Sequence, residues 1–336
     1  MTAAAPKKAA NSNPLEQLGF LLERDMAAVN AMIVSRMDSR VPMIPQLAGY
    51  LIAAGGKRIR PLMTLAATAL FDGEMTRAHR LATAVEFIHS ATLLHDDVVD
   101  NSDERRGNPS ANTVFGNEAS VLVGDFLFSR AFQLMTEDGS IDVLTILSNA
   151  SAVIAEGEVF QLSIQGNIDA TRDDYLDVIR GKTAALFAAA CEVGPVIAGC
   201  DDETRRAMHE YGLNLGMAFQ VIDDVLDYAA DSAEIGKAIG DDFREGKMSA
   251  PVILALAKAD EEERAFWQRT IAERDQKDGD LAQALTICRR HNIFEEGMAL
   301  ARDFGGRSLA ALAKAPDSPL KDALAALVSF TIERRY

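Results

Sequence analysis

The chain has 336 residues, 48% hydrophobic, 25% charged and 6% aromatic, with 34 Lys plus Arg against 50 Asp plus Glu and a formal net charge of −16. That length supports a large core, and the hydrophobic fraction excludes a disordered chain. The charge balance excludes recognition of nucleic acid or anionic membrane through bulk charge, so any polyanionic substrate must be met by a local cluster of cations or by metal ions.

Residues 1–12 read as a solvated tail ahead of one domain over 13–336; the two lysines in it have no apolar stretch behind them of the kind a signal peptide carries. Gly55-Gly56 opens a turn that runs into Lys57, Arg58 and Arg60. From about 78 to 99, Leu81, Val85, Ile88, Thr92 and Val99 fall near one stripe of a helix, with Ala84, Ala91 and Leu93 beside it. Breaks follow at Gly107-Asn108-Pro109, at Gly166-Asn167 and near Gly194-Pro195. Asp201 to Tyr228 reads as a second long helix, ahead of a broken stretch over 229–246. Helices joined by short turns, with no Gly/Ser/Pro linker, predict an all-α bundle. No apolar run approaches the ~20 residues that cross a bilayer, so no stable membrane anchor is expected. Cys191, Cys200 and Cys288 are too few and scattered for a disulfide framework, which suits a reducing cytoplasm.

One short pattern recurs. Asp-Asp-x-x-Asp appears in LLHDDVVD (Asp96, Asp97, Asp100) and again in FQVIDDVLD (Asp223, Asp224, Asp227). With 29 aspartates in the chain, about 0.2 copies arise by chance, so a lone copy is weak. In each motif the first and last carboxylates are one helical turn apart and share a face. Like charges at that spacing within apolar sequence are unfavourable unless a cation or protons neutralise them, and hard oxygen ligands with room for water and phosphate oxygens suit Mg²⁺. A third copy, DDYLD (Asp173, Asp174, Asp177), follows Thr171 at a helix start, where carboxylates cap free amides and favour the dipole. That copy reads as structural. The other two lie late in long helices, near the unfavourable end of the dipole.

Cations surround the two motifs. Arg105-Arg106-Gly107 follows the first and places two guanidiniums where they can fork onto phosphate oxygens. Lys57 and Arg60 are three apart and can share a face. His89 lies two turns before Asp96, in position to donate to a phosphate; Glu86 and His89 also form half of a di-iron signature, whose second half the chain lacks. Gly181-Lys182-Thr183 offers an ammonium and a hydroxyl, and Gln220 precedes Asp223 by three. Gly236-Lys237, Gly240-Asp241-Asp242 and Gly246-Lys247 suit a loop that closes over phosphate. Each lysine alone reads as a surface charge; together these groups describe a metal–diphosphate site.

The segments GGKRIRP, LLHDDVVDNSDERRG, GKTAALF, GMAFQVIDDVLDY and GKAIGDDFREGK resemble, in order and spacing, the trans-isoprenyl (polyprenyl) diphosphate synthases, over essentially all of 14–336. The resemblance implies the isoprenoid synthase-type helical bundle, with the two motifs facing each other across a deep central cavity, and a homodimer. It implies Mg²⁺, three ions per site with substrate bound, on Asp96, Asp100 and Asp223, with Asp97, Asp224 and Asp227 in support. Lys57, Arg60, His89 and Arg106 would hold isopentenyl diphosphate. Arg105, Lys182, Thr183, Gln220 and Lys237, assisted by Lys247, would hold an allylic diphosphate, farnesyl diphosphate being the expected starter. Asp96, Asp97, Asp100, Arg105, Lys182, Asp223 and Asp224 would form the catalytic set. The allylic diphosphate would ionise, the isopentenyl double bond would attack the cation, and the departing pyrophosphate would take the proton.

Chain length is set, in the family, by residues four and five positions before the first aspartate. These are Thr92 and Ala91, both small, so the tail should pass; Phe132 and Met135 are candidates for a wall lower down, or plain core. Local phrases such as FIHSATLLHDDVVD look most like the bacterial long-chain members that make quinone side chains, and eight to ten isoprene units are expected. A shorter farnesyl or geranylgeranyl synthase is the alternative within the family. A terpene cyclase would carry an Asn/Ser/Glu-type second motif, and squalene-type enzymes space their aspartates differently. A non-catalytic partner subunit would have lost aspartates or arginines that are present here. For the basic end, Glu333-Arg334-Arg335-Tyr336, two readings stay open: a cover over the site or a solvated helix end.

Overall fold

The computed structural model describes residues 13–53, 55–105, 107–229 and 240–334. Arg106, Lys237, the 1–12 tail and Arg335-Tyr336 lie outside them. The described residues are helical almost throughout, and their strand content is one two-residue hairpin, β1 (Glu104–Arg105) with β2 (Asn108–Pro109). The chain divides into two compact units, Met1–Ser151 with Ala189–His209 and Leu312–Leu327, and Ala152–Ala188 with Glu210–Ala311 and Val328–Tyr336.

The first unit opens with α1 (Pro14–Leu21), started by a reciprocal capping box: Asn13 Oδ1 accepts from Glu16 N (2.9 Å) and Glu16 Oε2 accepts from Asn13 N (3.2 Å), with Pro14 at the first helical position. Next come α2 (Glu23–Arg36), α3 (Met43–Ala53), α4 (Ile59–Leu70) and α5 (Met75–Val99). After the hairpin follow α6 (Ala111–Phe115), α7 (Asn117–Asp138) and α8 (Ile141–Ile164), which passes into the second unit at Ala152. α5 is buried on nearly every side and packs against α7, α4 and α2. Leu18, Ile33, Leu47, Met63, Leu65 and Leu81 are among the first unit's fully buried side chains.

The second unit carries α9 (Arg172–Ile179), a π-helical turn over Arg180–Ala184 and α10 (Ala185–Ile197), whose end belongs to the first unit, as does the start of α11 (Asp202–Ala229). Then come α12 (Asp241–Arg244), α13 (Ala250–Leu256), α14 (Glu261–Trp267), a second π turn at Gln268–Ala272, α15 (Asp280–Arg290), α16 (Ile293–Leu312) and α17 (Pro319–Glu333), the last joining this unit only from Val328. An aromatic cluster centres this unit. The Trp267 ring meets Phe266 edge-on at 5.1 Å and Phe243 at 6.4 Å. α10 and α11 meet through glycines: a Cβ on Gly212 would stand 2.4 Å from Phe187 O, and one on Gly216 2.7 Å from Ala184 Cα.

Two expectations need correction. The break near Gly194-Pro195 does not form, because α10 continues through Pro195 to Ile197. Gly194 instead permits close approach to α4, since a Cβ there would fall 2.5 Å from Ala67 C; the helix ends just after, with Cys200 N donating to Pro195 O at 2.9 Å. Second, α8 is 24 residues long and holds a window long and apolar enough to cross a membrane by length and composition. A third of that window is buried, and the helix carries Glu156 and Glu158.

The second π turn has a structural use. Arg269 on it donates to both Asp280 oxygens at 2.8 Å, and Lys277 N donates to Oδ2 at 2.7 Å. The guanidinium holds the Asp280 carboxyl down at about 2. A carboxyl lowered from 3.8 stabilises the fold fully above that value and loses the contribution as pH falls toward 2. Asp280→Asn is therefore expected to cost about 1–3 kcal/mol at pH 7. In denaturant titrations the gap from the parent should shrink as pH drops through that window.

Candidate active site

In the first unit, the cationic segment meets α5. Arg58 adopts a left-handed conformation (φ 48°) just before α4 and pairs with the buried Glu86. Two residues on, Arg60 Nη1 donates to His89 Nε2 at 3.1 Å. A guanidinium has no acceptor, so this bond fixes Nε2 as the unprotonated nitrogen. Glu86 and His89, three apart on one helix face, thus each receive an arginine, which explains the solitary Glu-x-x-His without iron. Lys57 is exposed in the turn ahead of them.

Asp96, Asp97 and Asp100 end α5, with Asp100 as its C-cap. Asp97 is fully buried and faces the hairpin: Arg105 Nε donates to its two oxygens at 2.8 and 3.0 Å, and Nη2 reaches Oδ1 at 2.5 Å. Asn112 Nδ2 donates to Asp97 O (3.3 Å) and Ser102 O (3.2 Å), tying the motif to α6. Tyr50 OH donates to Pro109 O at 2.6 Å, pinning the hairpin to α3. Asp96 and Asp100 are half-buried. His95 Nε2 stands 3.2 Å from Val121 O and 3.5 Å from Asp125 Oδ1, and Gly124 makes room for its ring, since a Cβ there would fall 2.3 Å from Nε2.

Of the chain-length candidates, Ala91 has no exposed surface, and Thr92 is half-buried with its Oγ1 donating to His89 O at 2.8 Å. On α7, Met135 is fully buried and Phe132 is 40% exposed, its ring 5.7 Å from Phe128.

In the second unit, one hydrogen-bond chain links the GKT segment to the second motif. Thr183 Oγ1 donates to Gln220 Oε1 (2.7 Å), and Gln220 Nε2 donates to Asp224 Oδ1 (2.7 Å). Asp224 Oδ2 accepts from Tyr175 OH (2.8 Å) and from Ala250 N (3.1 Å). Tyr175 lies inside the third acidic copy, DDYLD. The copy's own carboxylates do local work: Thr171 and Asp174 form a capping box that starts α9, and the amide and hydroxyl of Thr171 hold the Asp174 carboxyl below its usual range.

Asp227 accepts from the amides of Asp241 (3.3 Å) and Asp242 (3.0 Å). Burial pushes the carboxyls of Asp224, Asp227 and Asp242 up, and repulsion from neighbouring carboxylates adds to each. Asp223 instead pairs with Arg334 Nη2 at 2.8 Å, and the guanidinium lies 4.3 Å over the Phe219 ring. A cavity of about 110 Å³ is lined by Lys182, Gln220, Asp224, Asp242 and Lys247, with Tyr175 on its wall. Lys247 pairs with Glu245 at 2.5 Å, and Lys182 donates to Glu158 Oε2 at 2.9 Å.

The π turn sets where Lys182 sits. A Cβ on Gly181 would fall 2.9 Å from Gly157 Cα and 3.0 Å from Val153 O on α8. Such turns recur at functional sites because they re-aim side chains. Gly181→Ala is expected to destabilise by about 1–3 kcal/mol through overpacking. Turnover at a temperature where the variant stays folded should fall further than stability alone explains, as read by melting curves beside steady-state rates.

No three carboxylate, His or Cys groups converge on one point among the described residues. That is not the geometry of an all-protein metal cage. It fits Mg²⁺, which takes one or two carboxylates and fills its octahedron with water and substrate phosphates. The donors are hard oxygens, Asp224 and Asp227 are met by uncharged hydrogen-bond donors, and a guanidinium sits on Asp223. Glu158, Tyr175, Asp242 and Arg334 were not among the site residues expected from sequence. Asp242 carried a signal in the GDDFREGK segment; Arg334 carried one in the basic end; Glu158 and Tyr175 are separated from their partners by 24 and 49 residues.

Residues 41–288 match the polyprenyl synthetase family. The chain is 43% identical to the octaprenyl diphosphate synthase of Escherichia coli K12 over 320 residues, covering 95% of this chain and 99% of that one. A decaprenyl diphosphate synthase from Rhodobacter capsulatus superposes with a TM-score of 0.91 at 53% identity, over 95% of this chain and 99% of the other. A polyprenyl synthase from Caulobacter crescentus CB15, solved with calcium and isoprenyl diphosphate, gives a TM-score of 0.91 at 48% identity, over 98% and 100%. Matches of this extent, on a chain that retains both acidic motifs and their cations, make it a member of the polyprenyl synthetase family and a prenyltransferase of the trans-polyprenyl diphosphate synthase type.

Proposed function

We propose that this chain condenses isopentenyl diphosphate head-to-tail onto an allylic diphosphate, farnesyl diphosphate as starter, and releases a product of eight to ten isoprene units for quinone side chains. The observation that carries the chemistry is the Thr183–Gln220–Asp224–Tyr175 hydrogen-bond chain, which fixes the acidic motif beside Lys182 on a cavity wall. In that unit Lys182, Thr183 and Gln220 receive the allylic diphosphate, with Lys237 and Lys247 assisting. In the other, Lys57, Arg60, His89 and Arg106 receive isopentenyl diphosphate, and Asp97 aims Arg105 at diphosphate oxygens. Asp96, Asp100 and Asp223 hold Mg²⁺. The bound metal supplies charge stabilisation for the departing pyrophosphate. Arg60 donates to His89 Nε2, so the ring's N–H is left at Nδ1. The length reading is supported by the small pair Ala91-Thr92 and by relatives named for eight and ten units. A homodimer is supported by the exposed apolar residues Leu122 and Phe132 on α7.

Thermal denaturation with a non-ionising allylic thiodiphosphate tests the reading. The melting temperature should rise only when the analogue and Mg²⁺ are both present. A protein that ignores the pair would be a non-catalytic subunit, and the proposal would fail.

A further inference from the structure

Glu158 belongs to none of the groups assigned above to substrate or metal. It lies on α8, where its Oε2 accepts from Lys182 Nζ at 2.9 Å, each side chain being 25% exposed. The approach is built into the backbone. Gly157 and Gly181 immediately precede the two partners, and a Cβ on Gly157 would fall 2.9 Å from Lys182 N and 3.0 Å from Gly181 Cα. The second oxygen, Glu158 Oε1, is buried with no hydrogen-bond partner. A buried acceptor without a donor is costly, and a fold keeps one where it has a use.

The use follows from the charge. Lys182 lies on the wall of the cavity that carries the acidic motif, where the reading above puts the allylic diphosphate; the inference rests on that reading. The same ammonium faces a carboxylate on one side and a diphosphate on the other. A second anion within a few ångströms weakens the hold on the first by about tenfold or more at the effective dielectric of a half-buried site. A chain that repeats its condensation must also clear inorganic pyrophosphate after every addition, before the elongated diphosphate is reseated.

We propose that Glu158 is a positioning residue that acts as the counter-charge of Lys182, receiving the ammonium as pyrophosphate leaves and keeping the product pyrophosphate from being held too tightly. The sign of the effect separates this from ordinary support. A carboxylate that merely oriented Lys182 would, on removal, weaken anion binding; a counter-charge would, on removal, strengthen it.

The test is calorimetric titration of the full chain with inorganic pyrophosphate in excess Mg²⁺, on the parent, Glu158→Gln, Glu158→Ala, Glu158→Asp and Lys182→Gln. Both charge-removing variants at 158 are expected to bind pyrophosphate at least about tenfold more tightly. Glu158→Asp, which keeps the charge, should stay within a few fold of the parent, and Lys182→Gln should bind at least about tenfold more weakly. Unchanged or weaker binding in the Gln and Ala variants, with Lys182→Gln weakened, overturns the counter-charge alone. Unchanged binding in Lys182→Gln overturns the assignment of Lys182 itself, and the proposal with it.

Discussion

Asp223→Asn is expected to lower turnover by about 10³-fold while leaving the fold intact, whereas Asp224→Asn is expected chiefly to destabilise, with turnover falling only as the site it braces loosens. The three carboxylates of the second motif are spaced alike in sequence but face different partners. Asp224 is buried and receives Tyr175 OH, Gln220 Nε2 and Ala250 N; Asp227 receives two backbone amides. Those bonds join α9, α11 and α13, so Asp224 works as a structural junction. An amide in its place turns one acceptor into an NH2 donor, set either against Gln220 Nε2 or against Tyr175 OH and Ala250 N, for an expected loss of about 1–3 kcal/mol. Asp223 pairs with a guanidinium that a metal ion can replace. Loss of one preorganised group that stabilises developing charge costs about 10²–10³ in rate, and loss of a metal ligand sits at the upper end. Denaturant midpoints beside steady-state rates for the two variants check the contrast. Equal loss of activity at equal stability would refute the division of labour.

The second large effect is on product length. Thr92→Phe is expected to stop the product several isoprene units short, whereas Ala91→Phe is expected chiefly to destabilise. Both positions were read from sequence as small residues that let the tail pass. Ala91, however, has no exposed surface on a helix buried on nearly every side, so a phenyl ring there must displace packed neighbours, at about 1–3 kcal/mol. Thr92 is half-buried, and its hydroxyl bonds within its own helix turn, so a ring at this position can extend away from the core. One helical turn, about 5.4 Å, matches roughly one isoprene unit. Product mass spectra decide: a Thr92→Phe enzyme with the parent's product length contradicts this placement of the tail.

Much of the fold could be read from periodicity and turn residues. The stripe from Leu81 to Val99 lies within α5, and the Asp201–Tyr228 segment matches α11, because helix period and capping are local signals. The Thr171–Asp174 box is another, and its local chemistry separated the third acidic copy from the other two. Gly194-Pro195 misled for a physical reason. Glycine and proline mark breaks on average, but Gly194 is required by contact with Ala67, which is distant in sequence. The same limit applies at the site. Residue types and spacing pointed to Asp96, Asp223 and the cations, whereas the partners that orient them act across the fold. Glu158 meets Lys182 from 24 residues away, and Arg334 meets Asp223 from 111. Arg269 and Asp280, only 11 apart, were missed because a π turn, invisible to a 3.6-residue period, brings them together.

The most direct test of the central claim is to incubate the purified chain with farnesyl and isopentenyl diphosphates, with Mg²⁺ and with a chelator, and to read the products by mass spectrometry. A ladder that ends at eight to ten isoprene units with Mg²⁺, and no elongation with chelator, is the result this account predicts. No elongation by a folded chain with Mg²⁺ present would contradict it.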